Sequence, residues 1–240
     1  MGDSAHVLIV GGGVIGSGLA WALAERGIDE VVVVDLDLAG VYASSELNAG
    51  GARATWWQPV NVEACRVTLD FFGEHAMEFG FQPVGYLWLF DDPALFATAL
   101  EKRELQNAVG LAVECLEPAE VEPRFPIVDR ALDELVGATY SPRDGLVNPN
   151  AVRRWYRSRA EERGVRFLDR HYVSGVSTGL LAGTGAPRRR VIALDVVEVA
   201  RGDPTDEAGM VRGILTRHHI PASARAAESR ISCDLVVNCL

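Results

Sequence analysis

A glycine turn between a short apolar run and a helical stretch is the feature that most constrains the fold of this chain. Residues 7–10 are apolar, residues 11–16 carry the turn, and an Ala/Leu-rich stretch follows. Glycine is needed first for a tight turn, then for close backbone approach to a pyrophosphate, then for packing of helix on strand. The N-terminus of the helix adds N–H donors and positive potential for phosphate. The pattern therefore predicts a strand, a turn and a helix that bind a dinucleotide through Gly11, Gly13 and Gly16.

A second strand completes the unit. Residues 31–34 are four consecutive valines, and Gly27 stands where a left-handed residue commonly ends a helix. Continuous apolar runs are typical of buried parallel strands, so the opening of the chain predicts a βαβ unit in an α/β fold. Asp35 follows the second strand directly, which is where dinucleotide-binding units carry the acid that accepts ribose hydroxyls. NAD and FAD both bind to such units, so this unit alone does not choose between them.

The stretch from residue 40 to residue 55 favours FAD. It is rich in Gly, Ala, Ser and Asn and predicts a long loop, and long loops are usually functional. Hydroxyl and amide groups suit phosphate oxygens, two glycines allow backbone to approach a flat group, and a cation follows. These residues are Ser44, Ser45, Asn48, Gly50, Gly51 and Arg53. Simple NAD dehydrogenases have no need of a second loop of this kind.

The rest of the chain alternates helices and strands. Apolar residues at helical spacing predict helices, and short β-branched or aromatic runs predict strands. The predicted elements are a helix of about twenty residues from Pro59, a strand at 84–90, a helix at 93–109, turns at 118–126 and 140–149, a helix at 150–163, a strand at 165–168, exposed loops at 202–209 and 221–229, and a buried parallel strand at 234–238.

Composition excludes several classes of partner. The chain has 240 residues and a formal net charge of -10, so its surface repels phosphate backbones and anionic lipid, and we expect no nucleic acid or membrane partner. Apolar runs are strand-sized, and the chain enters its first strand without a secretory signal, so we expect no membrane span and a cytoplasmic location. Cysteines and histidines show no metal-binding spacing, so we expect no metal site and four free thiols. The cysteines are Cys65, Cys115, Cys233 and Cys239.

The βαβ opening and the stretch 44–53 resemble the D-amino acid oxidase superfamily of FAD enzymes. The resemblance is strongest to the branch that holds glycine oxidase, sarcosine oxidase and dimethylglycine dehydrogenase. Later stretches match the same pattern in order and spacing, so the resemblance runs from end to end. They are residues 85–87, residues 144–149, residues 164–167 leading to Val173, and residues 236–238.

The resemblance implies roles for individual residues. Val173 would meet adenine through its backbone, and Gly50 and Gly51 would lie against the isoalloxazine. Arg53 would be the catalytic cation, placed near the reactive edge of the flavin, where it would stabilise negative charge on the reduced ring. The implied cofactor-binding set is Gly11, Gly13, Gly16, Asp35, Ser44, Ser45, Asn48, Gly50, Gly51 and Val173.

Two departures from relatives refine the expectation. Enzymes of this kind with covalent flavin carry a histidine near the glycine pair, but none stands near Asn48 or Ala49, so we expect noncovalent FAD. Sarcosine oxidases carry a second basic residue three positions beyond the one that matches Arg53, where this chain has Trp56, and this disfavours sarcosine as the substrate. Trp56 and Trp57 would either form an apolar wall over the flavin or pack in the core.

The resemblance implies a GR2-type FAD-binding domain at 1–82 and 147–240, interrupted at 83–146 by part of a substrate-binding α+β domain. Family members continue well beyond a strand like 236–238, so we expect the C-terminal part of the fold to be missing and a second chain to be one way of completing it.

The expected function is oxidation of the C–N bond of an amino acid or N-methylated amine, with hydride transfer to flavin. The histidines form no nucleophile or metal constellation, and this chemistry needs none, because the protein mainly positions and desolvates the substrate. Two alternatives stay open. One is a noncatalytic FAD-binding subunit that needs a partner chain, and the other is a flavoprotein dehydrogenase of a hydroxy compound.

Overall fold

The computed structural model describes residues 3–40, 43–126, 128, 134–181, 188–200 and 207–240. Its elements in chain order are β1 (Asp3–Val10), α1 (Val14–Glu25), β2 (Val31–Val34), α2 (Ser44–Leu47), β3 (Gly51–Ala52), α3 (Pro59–Glu74), α4 (Ala76–Phe79), β4 (Tyr86–Phe90), α5 (Pro93–Ala108), β5 (Glu114–Leu116), α6 (Pro118–Arg124), β6 (Gly137–Ser141), β7 (Gly145–Leu146), α7 (Pro149–Glu161), β8 (Arg166–Leu168), β9 (His171–Leu181), β10 (Arg188–Val199), α8 (Glu207–Arg217) and β11 (Arg225–Asn238). The chain forms two compact units, the first of Met1–Asn48 with Pro149–Leu240 and the second of Ala49–Asn148.

The first unit is built on a six-stranded sheet with the strand order β8-β2-β1-β11-β10-β9. β1 lies parallel to both β2 and β11, and β8 lies parallel to β2. β10 runs antiparallel to β9 and β11, which gives a mixed sheet. This architecture confirms the predicted α/β class and the opening βαβ unit.

The four valines of β2 show why the opening predicts a buried strand. Successive side chains of a strand point to opposite faces, so a strand that is covered on both faces must be apolar throughout. Val32 and Val34 pack into a cluster on one face, and Val31 and Val33 pack on the other face, where α1 lies against α7. Gly27, at φ +73°, follows the end of α1 as predicted.

The second unit contains a three-stranded antiparallel sheet in the order β4-β6-β5 and a separate two-stranded pair of β3 with β7. One core cluster joins α3 to the chain around β3 and β5. Its buried members are Ala52, Ala54, Val62, Leu69, Leu111 and Val113. The predicted helices at 59 and 93 are confirmed, although the first is divided at His75 into α3 and α4.

Several predicted loops are regular structure instead. The stretch 40–55 contains the short helix α2 and the strand β3. Within the predicted turn region 118–126, Pro118–Arg124 form α6, because Pro118 stands in the first helical turn, where its missing N–H costs nothing. The predicted turn region at 140–149 contains a turn at 142–143, flanked by the end of β6 and by β7.

The prediction for the last forty residues is partly wrong. Residues 202–206 lie outside the described residues, and α8 begins at Glu207. Within 221–229 a 3₁₀ turn at Ala222–Ala224 leads into β11, whose first residues are exposed and pair with β10. Backbone pairing rather than side-chain burial stabilises this part of the strand, so no apolar pattern marks it. The strand at 234–238 is parallel as predicted, but it is not fully buried, since Leu235 is 53% exposed.

Among the described residues, no helix has the length and apolar character that a bilayer span requires. The four cysteines are free thiols.

Candidate functional site

The glycine turn of the first unit is fixed by close backbone packing. Gly11 has φ +102°, which favours glycine, and its amide donates to the carbonyl of Val34 at 2.9 Å. A Cβ on Gly16 would lie 1.8 Å from the carbonyl oxygen of Gly11. Ser17 ties the helix to the turn, since its hydroxyl donates to the carbonyl of Gly12 at 2.9 Å. The helix can therefore begin this close to β1 only with glycine at these positions.

Ser45 lies at the N-terminus of α1. Its hydroxyl oxygen accepts from the amide of Val14 at 3.0 Å, and a Cβ on Gly13 would lie 3.3 Å from the same oxygen. The first amides of a helix have no acceptor within the helix, and the Gly13 amide has none among the described residues. Ser45 and Gly13, two of the predicted cofactor residues, therefore lie together at the N-terminus of α1. Such a terminus suits an anion such as pyrophosphate.

Asp35 lies at the end of β2, beside the same turn. Its two carboxylate oxygens accept from the amides of Gly12 at 2.5 Å and Asp37 at 2.7 Å. Burial raises the pKa of the Asp35 carboxyl, the charges of Asp37 and Asp169 add to that effect, and the two backbone N–H groups oppose it. Each carboxylate oxygen has a second lone pair, so the group retains capacity to accept from ribose hydroxyls.

Val173 lies near the start of β9. The amide of His171 donates to the backbone carbonyl of Asp35 at 2.8 Å, and Val173 follows two residues later on β9. Its side chain packs on the core cluster around Leu8, while β9 is the edge strand of the sheet. The contact of the Val173 backbone with adenine, which the resemblance implies, stays a prediction.

Ser44 and Asn48 flank Ser45 on and beside α2. Ser44 opens this short helix and is exposed, and Asn48 follows its last residue and is also exposed. The first unit thus places Gly11, Gly13, Gly16, Asp35 and Ser45 around one turn, with these two residues on the adjoining segment.

Arg153 is a residue of this region that the sequence analysis missed. It lies on α7, is 5% exposed, and donates from Nη2 to the carbonyl of Ala39 at 2.6 Å. Gly40 has φ +78°, and a Cβ there would lie 1.5 Å from Nη1 of the guanidinium. The side chain therefore supports the segment that follows Asp35. Nothing in the local pattern distinguishes Arg153 from the other arginines of α7. The sequence signal for the contact is Gly40, for which the predicted loop gives no reason.

In the second unit, Gly50 and Gly51 lie at the start of β3. Gly50 has φ +80°, and its carbonyl accepts from the amide of Val147 at 2.8 Å. A Cβ on Gly51 would lie 2.0 Å from the hydroxyl oxygen of Tyr86. The packing of Tyr86 is thus a reason within this unit for glycine at position 51, besides the predicted contact with a flat ligand.

Arg53 is half-buried among aromatic rings of the second unit. Its guanidinium carbon lies 4.7 Å from the ring centre of Trp56, 5.0 Å from that of Trp88 and 5.9 Å from that of Tyr86. In the described part of the chain no carboxylate lies within ion-pair distance of this guanidinium. Core packing is the wrong interpretation for Trp56 and Trp57, which are 36% and 48% exposed. Trp56 covers Arg53 instead.

Asp144, which accepts hydrogen bonds from the two residues that follow Arg53, is fully buried. Burial raises the pKa of its carboxyl, while hydrogen bonds from Ala54 and Thr55 and the positive charge of Arg53 lower it.

In the described ranges, no group of three or more His, Cys, Asp or Glu side chains is arranged to hold a metal ion.

The residues around the glycine turn fit the adenosine diphosphate portion of FAD. The turn excludes side chains, the helix terminus presents amides, and the acid of β2 lies beside both. Residues 6–224 match the family model described as FAD dependent oxidoreductase. The chain belongs to this family.

The relatives of the chain in this family include curated proteins from animals. The chain is 30% identical over 176 residues to "FAD-dependent oxidoreductase domain-containing protein 1 homolog" of Drosophila melanogaster, covering 70% of this chain and 34% of the relative. It is 24% identical over 189 residues to mitochondrial sarcosine dehydrogenase of Mus musculus, covering 72% of this chain and 19% of the relative. The chain thus spans about a third or less of the length of these relatives.

The fold is similar to that of a solved L-proline dehydrogenase. L-proline dehydrogenase from P. horikoshii superposes with a TM-score of 0.71 at 21% identity, covering 99% of this chain and 53% of that one. This likeness confirms the α/β fold of the FAD-binding type, and FAD is the cofactor of the family.

Proposed function

We propose that this oxidoreductase oxidises the C–N bond of a small amino acid or N-methylated amine. The observation that carries the proposal is the Arg53 guanidinium, held between aromatic rings and without an ion-pair partner among the described residues. Sarcosine and L-proline, which appear in the names of two relatives, are both secondary amines that carry a carboxylate. A guanidinium of this kind suits such an anion.

The residues of the chain have separate tasks in this proposal. The Gly13 amide, which is free among the described residues, and the positive potential of the α1 N-terminus bind the pyrophosphate, and Asp35 accepts from the ribose hydroxyls. When bound, FAD supplies the acceptor for a hydride from the carbon beside the amine nitrogen. Arg53 stabilises negative charge, either on the flavin edge or on the substrate carboxylate, and Trp56 limits the access of water to that charge. No acid–base pair is required, because the substrate reacts as a neutral amine.

The proposed domains follow from these tasks. We assign 1–82 and 147–240 to FAD binding and 83–146 to the substrate side. Residues 49–82 belong to the second compact unit, so this assignment gives one stretch of that unit to the cofactor. We also propose noncovalent attachment, which predicts that denaturing the loaded protein releases all of its flavin.

Bleaching of bound flavin tests the proposed substrate class. The FAD-loaded chain is mixed without oxygen with sarcosine, L-proline, several D- and L-amino acids, and matched hydroxy acids. Loss of the visible flavin band with amines, and its retention with hydroxy acids, is the expected result. Arg53→Gln should slow bleaching, whereas Arg154→Gln, at an exposed position of α7, should not. Bleaching by hydroxy acids alone, or by dithionite alone, would overturn the proposal.

A further inference from the structure

Two of the three aromatic residues around Arg53, Trp56 and Trp88, are hydrogen-bonded to a buried polar residue of the second unit. Gln106, which is 5% exposed, donates from Nε2 to the carbonyl of Trp56 at 2.9 Å. The indole N–H of Trp56 in turn donates to the carbonyl of Arg53 at 3.3 Å. On the other side, the indole N–H of Trp88 donates to the hydroxyl of Thr55 at 3.3 Å. Both indoles that contact the guanidinium are therefore anchored.

The anchor of Trp88 continues to a buried carboxylate. Thr55 donates its own hydroxyl proton to Oδ2 of Asp144 at 3.0 Å, and the amide of Ala54 donates to Oδ1 at 2.9 Å. A hydroxyl that donates to a carboxylate keeps its lone pairs for another donor, so Asp144 fixes Thr55 as the acceptor for Trp88. The hydrogen bonds thus run in one direction, from Trp88 through Thr55 to Asp144.

Support of the backbone alone does not account for this arrangement. The bond from Ala54 to Asp144 is sufficient to hold the chain after β3, and a buried carboxylate needs hydrogen bonds for its own sake. The hydrogen bond from Trp88 to Thr55 neither holds the chain after β3 nor satisfies the buried carboxylate. Its effect is to fix the plane of an indole whose face lies 5.0 Å from the guanidinium carbon of Arg53.

We propose that Thr55 and Asp144 are positioning residues for Arg53. The buried carboxylate orients the Thr55 hydroxyl, the hydroxyl fixes Trp88, and the fixed ring restricts the guanidinium to one direction. A long, flexible side chain is thereby prepared before an anion arrives, which reduces the entropy lost on binding. The role of the prepared guanidinium towards a substrate carboxylate rests on the function proposed above, but its positioning does not.

Two substitutions break the connection at different points. Thr55→Val removes the hydroxyl and keeps the shape, whereas Trp88→Phe removes only the indole donor and keeps an aromatic ring beside Arg53. Thr55→Ser should restore the wild-type behaviour, because it keeps the hydroxyl. Thr98→Val is the matched control, since Thr98 lies on α5 in the same unit and its exposed hydroxyl donates only to the helix carbonyl of Ala94.

The decisive readout is the NMR signature of Arg53 in the full chain. Aromatic faces shift nearby protons upfield, so the side-chain methylene signals of Arg53 should be displaced in the wild type. Thr55→Val and Trp88→Phe should move them towards the values of a free arginine, and Thr55→Ser and Thr98→Val should leave them in place. Unchanged Arg53 signals in folded Trp88→Phe would overturn the proposal, even if Thr55→Val fails to fold.

Kinetics of the FAD-loaded chain separate this inference from the proposed function. If both are correct, Thr55→Val raises KM for carboxylate-bearing amines by about tenfold and leaves kcat nearly unchanged, because a displaced guanidinium weakens binding. If the Arg53 signals move but no amine bleaches the flavin of the wild type, the positioning stands and the proposed function fails.

Discussion

At the scale of single residues, glycines 16 and 18 of α1 have opposite tolerance for a methyl group. A Cβ on Gly16 would overlap the carbonyl oxygen of Gly11, whereas a Cβ on Gly18 would make ordinary contact with the ring of Tyr156 at 3.5 Å. We expect Gly16→Ala to lower the free energy of unfolding by about 1–3 kcal/mol or more. Gly18→Ala should raise it by about 0.5–1 kcal/mol, because alanine is the better helix former.

Urea denaturation of both variants checks this prediction, with the wild type as reference. Equal effects of the two substitutions would contradict the close approach of α1 to the glycine turn.

Asp35 gives a prediction for pH. Its folded pKa lies above the value of 3.8 for an unperturbed aspartate, because burial penalises the ionised form. The folded state therefore holds this proton to higher pH than the unfolded state. The corresponding stability is present below about pH 4 and is lost as pH rises through the folded pKa.

Asp35→Asn removes this dependence. The stability of the cofactor-free wild type relative to Asp35→Asn should therefore fall as pH rises from about 4. Free energies of unfolding measured for both proteins across this range decide the point. A relative stability that rises with pH would show that hydrogen bonds to the ionised carboxylate outweigh its burial.

The residues that the sequence predicts are those whose roles are local or follow a fixed spacing, such as Gly11, Gly16 and Asp35. The contacts of Arg153 and Asp144 were not predicted, for a physical reason. Arg153 meets Ala39 across 114 positions, and Asp144 meets Ala54 across 90, so no local pattern marks either contact.

At the scale of elements, the strands and helices with a regular apolar pattern could be predicted from the sequence. The elements that depend on backbone pairing with a neighbouring strand, or on the residues at a helix end, could not. The four consecutive valines of β2 predict a strand that is covered on both faces. The first part of β11 carries exposed polar residues and exists because β10 offers it backbone partners. Helix α6 has a proline in its first turn and another at position 123, and prolines spaced in this way are typical of a turn region.

The contact between α7 and the segment after β2 supplies a prediction at this scale. Arg153→Met keeps an apolar stem and removes the donor to Ala39, which leaves that carbonyl without its charged partner. We expect a loss of about 1–3 kcal/mol in the free energy of unfolding. Arg154→Met is the control, because Arg154 is exposed on the same helix and should change stability by less than about 0.5 kcal/mol.

Denaturation curves of the two variants give the test. A similar, small effect of both would mean that the buried guanidinium does not support the segment. A further titration with ADP should show weaker binding for Arg153→Met than for Arg154→Met, since this segment joins Asp35 to the helix that carries Ser45.

At the scale of the whole molecule, family membership and the cofactor follow from the order of the motifs along the chain. The chain spans about half of the solved L-proline dehydrogenase, and its two units carry different parts of the predicted set. The first unit holds the glycine turn, Asp35 and Ser45, and the second holds the glycine pair and Arg53. The central claim concerns the first set, which should bind the adenosine diphosphate portion of FAD.

Ligand-induced thermal stabilisation of the purified chain tests that claim most directly. At about 100 times Kd, a ligand stabilises the folded state by about 2.7 kcal/mol, which for a chain of this size raises Tm by about 5–11 °C. The account predicts such shifts with FAD and with ADP, no shift with riboflavin, and smaller shifts in Ser45→Ala. A folded chain whose Tm is unchanged by millimolar FAD and ADP would contradict it.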